Sequence, residues 1–160
     1  MSASIRTAIV EDDDELRELI RRRLERSGDM QVVRTFSSGD DFLDTMDSLD
    51  LQVVLMDINM PGRNGIETVR AAKQRKPGVQ YLMLTIFENP AYIFDALCAG
   101  ATGYLLKSTP SEELLDAVRD IHRGGSPMNS AIARMVVNSL QIETQQRIND
   151  DQLSEREKQV

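Results

Sequence analysis

The stretch Val53 to Gly65, VVLMDINMPGRNG, decides the fold. Four apolar residues in a row, Val53 to Met56, are followed by a carboxylate, Asp57, and then by a turn containing Pro61 and Gly65. A short apolar run bounded by turn residues fits a strand buried on both faces, as in the middle of a parallel sheet. An acid held at the end of such a strand stands where open parallel sheets place their ligands, beyond the carboxyl ends of the strands.

On either side of this stretch the same alternation repeats. Ile5 to Val10, Met30 to Phe36, Gln52 to Asp57, Gln80 to Thr85 and Thr102 to Leu106 read as strands, rich in β-branched and apolar residues. Helical patterns lie between them. Leu16, Leu19, Ile20 and Leu24 make a stripe ending at Gly28; Phe42, Leu43 and Met46 make a second. Ile66, Val69, Arg70 and Lys73 begin a third, stopped at Pro77-Gly78, and Ile93, Ala96 and Leu97 a short fourth, closed by Gly100. The fifth carries Leu114, Leu115, Val118 and Ile121, with Thr109 as the expected N-cap, Pro110 in the first turn and Glu112 completing a capping box. Five βα units in succession predict an α/β fold with a parallel sheet covered on both faces.

Composition narrows the class. A chain of 160 residues with 41% hydrophobic residues supports one core and an appended segment. A net charge of -7 offers no basic field for nucleic acid, and the single cysteine, Cys98, excludes an intramolecular disulfide framework. No apolar run approaches the length of a membrane span, and MSASIRTAIV lacks the basic-then-apolar pattern of a secretory signal. A soluble, cytoplasmic protein is expected.

The chemistry gathers at the strand ends. The first strand runs into Glu11 to Glu15, EDDDE. If the first and third strands are neighbours, Glu11, Asp12 and Asp57 converge. At ~4 Å and an effective dielectric near 20, each like-charge contact costs on the order of 4 kcal/mol. A hard divalent cation removes that penalty, and Mg²⁺ suits a shallow carboxylate site. Asp13, Asp14 and Glu15 have a plainer use at a helix N-terminus. The fourth strand ends in a hydroxyl, Thr85, and the fifth is followed by an ammonium, Lys107. Acids with a hydroxyl and a lysine suggest a phosphoryl group held on one of the acids, with Asp57 as the nucleophile.

Together VEDDDELR (Val10 to Arg17), VLMDINMPGRNG, LMLT (Leu82 to Thr85) and GATGYLLKSTPSEEL (Gly100 to Leu114) resemble the receiver domain of two-component response regulators over roughly Ile5 to Arg123. The likeness is greatest to the NarL/FixJ group, whose output is a LuxR-type helix-turn-helix. The resemblance implies a CheY-like, flavodoxin-like doubly wound sheet of order 2-1-3-4-5 with a C-terminal helical extension. It implies that Asp57 accepts phosphate from a sensor histidine kinase and that Lys107 and Thr85 act on the phosphoryl oxygens. It also implies that Glu11, Asp12, Asp57 and the backbone carbonyl of Asn59 hold Mg²⁺. Tyr104 falls on the family's switch aromatic, expected to turn inward when Thr85 moves. The implied activity is a signalling switch, promoting its own phosphotransfer and dephosphorylation only.

Two other classes fit such a fold less well. A flavin-binding module needs hydroxyl and backbone donors after the first strand, where this chain has acids. A haloacid-dehalogenase-like phosphatase resembles D-x-D, and position 59 is Asn. His122 and Cys98 read as a surface side chain and a small core residue.

Residues 1–124 are therefore read as the receiver and 125–151 as helix and linker, with Ile132, Met135, Val136, Ser139 and Leu140 on one helical face. That face could pack on its own domain or on another copy, and it joins the fifth strand and helix as a candidate surface for a homodimer formed on phosphorylation. The polar run Gln141 to Gln152 resembles a linker. Residues 152–160, ending LSEREKQV, resemble the opening of the LuxR-type domain. DNA contact is expected only through that missing domain; a stand-alone receiver acting by protein contacts is the alternative.

Overall fold

The computed structural model describes residues 4–86 and 89–158. Five parallel strands, β1 (Ile5–Val10), β2 (Met30–Phe36), β3 (Val53–Met56), β4 (Gln80–Thr85) and β5 (Gly103–Leu106), form one sheet of order β2-β1-β3-β4-β5. Strand order reverses beside β1, so β1 and β3 are hydrogen-bonded neighbours and their carboxyl ends open onto one crevice. The fold is the one the sequence predicted. β3 and β5 are each shorter than expected, which leaves Asp57 just past its strand while its amide still donates to the Val10 carbonyl at 3.0 Å.

The helices are α1 (Asp14–Arg26), α2 (Gly39–Thr45) with a single 3₁₀ turn after it, α3 (Gly65–Arg75), α4 (Pro90–Ala99), α5 (Ser111–His122) and α6 (Ser130–Lys158). Alternate strand residues feed opposite cores. Ile9, Val53, Leu55, Leu82 and Leu105 pack on Ile20 and Leu24 of α1 and on Leu114, Val118 and Ile121 of α5. Val10, Val54, Met56, Met83 and Tyr104 meet Phe42, Ile66, Val69 and Ile93 on the other face. Both faces of β3 are covered, which is why Val53 to Met56 show no polar alternation.

Local signals place most helix ends. Asp13 caps α1 by accepting from the Leu16 amide at 3.1 Å, and Asn64 caps α3 by accepting from the Glu67 amide at 2.9 Å. Gly100 closes α4 at φ +121°, a conformation that suits a residue without Cβ. At α5 the expected Thr109 cap is wrong by one residue. The cap position is Pro110, whose carbonyl accepts from the Leu114 amide at 3.0 Å and whose ring offers no side-chain acceptor, while the Thr109 amide belongs to the turn leaving β5 and donates to the Leu106 carbonyl.

The C-terminal segment settles a question left open by sequence. Ile132 is fully buried, and Met128, Met135 and Val136 pack against the same core, so α6 begins on its own domain beside α4. The helix then continues through Gln141 to Gln152, which is helical and not an extended linker. Gln159 and Val160, the end of the LSEREKQV run, lie outside the described residues, as do the side chains from Gln152 onward.

Candidate functional site

The end of β1 delivers Glu11 and Asp12, and the end of β3 delivers Asp57. One carboxylate oxygen from each lies within 4.8 Å of the others. Their surroundings differ: Glu11 and Asp57 are only 2% and 5% exposed, while Asp12 faces solvent. Of the acidic run, Glu11 and Asp12 thus serve the crevice, while Asp13 to Glu15 cap and open α1.

Lys107 reaches across from the loop after β5. Its Nζ stands 2.5 Å from Glu11 Oε1 and 3.3 Å from Asp57 Oδ2, and its amide donates to the Thr85 carbonyl at 2.8 Å. Thr85 is fully buried at the end of β4. Burial alone would lower the Lys107 pKa, but the carboxylates of Glu11 and Asp57 outweigh it and the net shift is upward. Glu11 moves the other way from an ordinary acid. Burial first, then its contact with Asp57, push its carboxyl up to about 8, against the opposing pull of Lys107.

Three carboxyl groups here share the single ammonium of Lys107, so acids outnumber the base that faces them. Among the described residues none gives either oxygen of Glu11 a well-directed hydrogen bond, although both are buried. Three carboxylates with no soft ligand, two of them buried and one open to water, are the donor set of a hard divalent cation that keeps part of its hydration shell. Buried acids, an ammonium and a buried hydroxyl at one crevice can also hold a group with several anionic oxygens.

The loop after Asp57 is held close. The Gly65 amide donates to the Ile58 carbonyl at 2.8 Å, and a Cβ on Gly65 would lie 1.8 Å from the Asp57 carbonyl oxygen. Asn59 is exposed two residues beyond Asp57. Tyr104 is fully buried in the core below α4, turned inward, and its phenol is held above its usual range by burial and then by the nearby Asp57 charge. One contact had no clear sequence signal: Arg17 Nη1 donates to the Glu11 main-chain carbonyl at 2.8 Å, and Arg17 also pairs with Asp14. In sequence Arg17 is simply one basic residue in a charged helix.

The model of the response regulator receiver domain matches residues 7–119. The transcriptional regulatory protein DegU of Brevibacillus brevis is 31% identical over 92% of this chain and 61% of its own length. The response regulator GacA of Pseudomonas aeruginosa is 32% identical over 98% of this chain and 73% of its own. A two-component response regulator of the LuxR family from Aurantimonas sp. SI85-9A1 superposes with a TM-score of 0.80 at 29% identity, covering 86% of this chain and 98% of that one. The signal receiver domain of the putative regulator NarL from Mycobacterium tuberculosis gives 0.74 at 29% identity, over 77% and 99%. The chain spans about three fifths of the length of the first curated relatives it matches.

Proposed function

The chain belongs to the response regulator receiver domain family, in its NarL/LuxR branch, and from that premise we propose that Asp57 is the phosphoacceptor of a signalling switch. One observation carries the reading. A buried carboxylate lies at the topological switch point, 3.3 Å from a lysine and clustered with two further acids.

In this reading an Asp57 oxygen attacks the phosphorus of a phosphohistidine on a sensor kinase. The new P–O bond forms as the P–N bond breaks, and the departing imidazole nitrogen keeps the electron pair. Glu11, Asp12, Asp57 and the main-chain carbonyl of Asn59 would hold Mg²⁺, which supplies charge neutralisation to the transferring group. Lys107 exchanges its present carboxylate contacts for a phosphoryl oxygen, and the Thr85 hydroxyl donates to another. Water later cleaves the acyl phosphate, so the chemistry resets a switch and turns over no external substrate.

The signal leaves through Thr85 and Tyr104. Movement of Thr85 toward the phosphoryl group changes the space beside Tyr104, and a ligand shifts an equilibrium through such differential contacts. Residues 1–124 form the phosphoacceptor unit, 125–151 the connection and 152–160 the opening of a LuxR-type output domain, through which DNA would be bound. Phosphorylation would promote a homodimer and so pair two output domains on half-sites. Among the described residues no helix is long and apolar enough to cross a membrane, and a cytoplasmic kinase partner completes the reading.

The test is Asp57→Asn incubated with Mg²⁺ and acetyl phosphate, followed by intact mass. The wild-type chain gains one acid-labile phosphate and the variant none, because an amide cannot act as the nucleophile. Gain at the wild-type rate would place the site elsewhere.

A further inference from the structure

The C-terminal helix has two faces. Ile132, Met135, Val136 and Ser139 lie toward the domain, and Ser139, Ile142 and Gln146 continue that side along Pro90, Ala91 and Phe94 of α4. The opposite face is open. Arg134, Val137, Gln141, Thr144, Ile148 and Asp151 are all exposed, and they recur at alternating spacings of three and four, the period of a coiled-coil seam. Leu140, half exposed, borders the same seam. At ~1.5 Å per residue the seam is roughly 26 Å long, enough for several turns of contact.

Its order is self-complementary in one direction only. Laid antiparallel on a second copy about a two-fold axis between Ile142 and Glu143, the seam places Val137 against Ile148 and Gln141 against Thr144. It also places Arg134 against Asp151, and each pairing occurs twice by symmetry. A glutamine amide can donate to the Thr144 hydroxyl, whose own proton goes to the Leu140 carbonyl at 2.9 Å. Among the described residues neither Arg134 nor Asp151 has an ionic partner within its own chain. In a parallel arrangement Arg134 would meet Arg134 and Asp151 would meet Asp151, and like charges would face each other at both ends.

We propose that the exposed face of α6 is a self-association surface, on which a second copy of this chain docks antiparallel with Arg134 opposite Asp151. Charge complementarity selects the occupant, because an identical helix supplies each required partner at the required spacing. The face differs from the Ile132 stripe, which is spent on the domain itself, and its pairing does not require phosphate on Asp57. A seam of this size lies at the small end of specific interfaces, below roughly 1,200 Å² in total, so weak association is expected.

Two single charge reversals and their mixture test it by sedimentation equilibrium near physiological salt. Arg134→Asp and Asp151→Arg each set like charges against each other at both symmetric contacts, and each should weaken association roughly tenfold. Mixed in equal amounts the two variants restore both contacts in a heterodimer, and affinity should return to near the wild-type value. Circular dichroism unchanged from wild type checks that the helix persists. Orientation is read separately by disulfide trapping in a Cys98→Ser background, with Val137→Cys and Ile148→Cys variants. The mixed pair should cross-link faster than either alone. A wild-type chain that stays monomeric at every concentration overturns the proposal, as does weakening that mixing fails to rescue. Preferential Val137→Cys self-linking would overturn it by showing a parallel pair. Because none of these readouts involves phosphorylation, their failure leaves the Asp57 reading standing, and loss of Asp57 reactivity leaves them intact.

Discussion

The amide of Tyr104 donates to the carbonyl of Pro127 at 3.0 Å, and Tyr104 forms a parallel bridge with Met128. The segment leading into α6 is thereby joined to β5 at the sheet edge. Asn129 then caps the helix by accepting from the Ile132 amide at 2.8 Å, and Ile132 is buried in the core that holds Tyr104. A displacement of Tyr104, if the proposed switch moves it, would meet the root of α6 directly.

Gly103 makes that junction. A Cβ there would sit 2.7 Å from Leu82 Cδ1 and 3.0 Å from Pro127 Cγ. Gly103→Ala should destabilise the chain by about 1–3 kcal/mol through overpacking, read as a lower urea midpoint. The Tyr104 amide should exchange faster in the same variant. An unchanged midpoint with unchanged exchange would mean the junction yields without cost.

Stability should depend on pH through Glu11. The folded chain keeps that proton up to about 8, while an unfolded glutamate loses it near 4.5. Between those values the folded state binds more protons, so stability falls as pH rises, by at most about 1.4 kcal/mol per pH unit. Cation binding requires the ionised carboxylates, so saturating Mg²⁺ should flatten the fall. Urea midpoints at about pH 5.5 and 8, with EDTA and with Mg²⁺, decide both points. A flat profile in EDTA would show that Glu11 titrates normally.

Transfer and signalling should separate in Lys107→Ala and Thr85→Ala. Both leave Asp57, the proposed nucleophile, in place and should still acquire phosphate from acetyl phosphate. Both should lose most of the phosphorylation-dependent change in amide exchange across Ala91 to Tyr104, since the groups proposed to sense the phosphoryl oxygens are gone. A full wild-type response in either variant would remove that residue from the coupling.

Arg119 ties α5 to the turn before β2 through two contacts with Asp29, Nε to Oδ2 at 2.7 Å and Nη2 to Oδ1 at 3.1 Å. The guanidinium holds the Asp29 carboxyl down to about 2 from its ordinary 3.8. Because the folded pKa is depressed, the stabilisation is complete above about 3.8 and is lost as pH falls through about 2. Both side chains are partly exposed, so Asp29→Asn should cost less than about 1 kcal/mol at neutral pH, and less again in high salt. Its urea midpoint should converge on wild type as pH approaches 2; a gap that persists there would point to packing.

Elements whose signals are local were legible in the chain itself. Strand runs from Ile5 and Met30 end where their apolar residues end, the run from Gln80 ends at Thr85 as read, and the sheet order followed from five βα units and the resemblance they support. The site acids were legible for the same reason: Glu11 and Asp57 stop apolar runs, and a strand end fixes where its next side chain stands. Other features depended on tertiary competition. Thr109 satisfies a good capping pattern, yet the turn leaving β5 takes in Thr109, whose amide donates to the Leu106 carbonyl, and the helix begins one residue later with Pro110 at the cap position. The 2.5 Å contact of Lys107 with Glu11, and the turn of Arg17 onto the Glu11 carbonyl, join groups whose positions depend on the assembled strands. For α6, periodicity could mark an apolar face but not its cover. Helical spacing is a property of one segment, whereas choosing between the domain and a second copy depends on which distant surface offers more buried area. In this fold α4 and the Tyr104 core take Ile132 and its neighbours, and that choice leaves the Val137 seam in solvent.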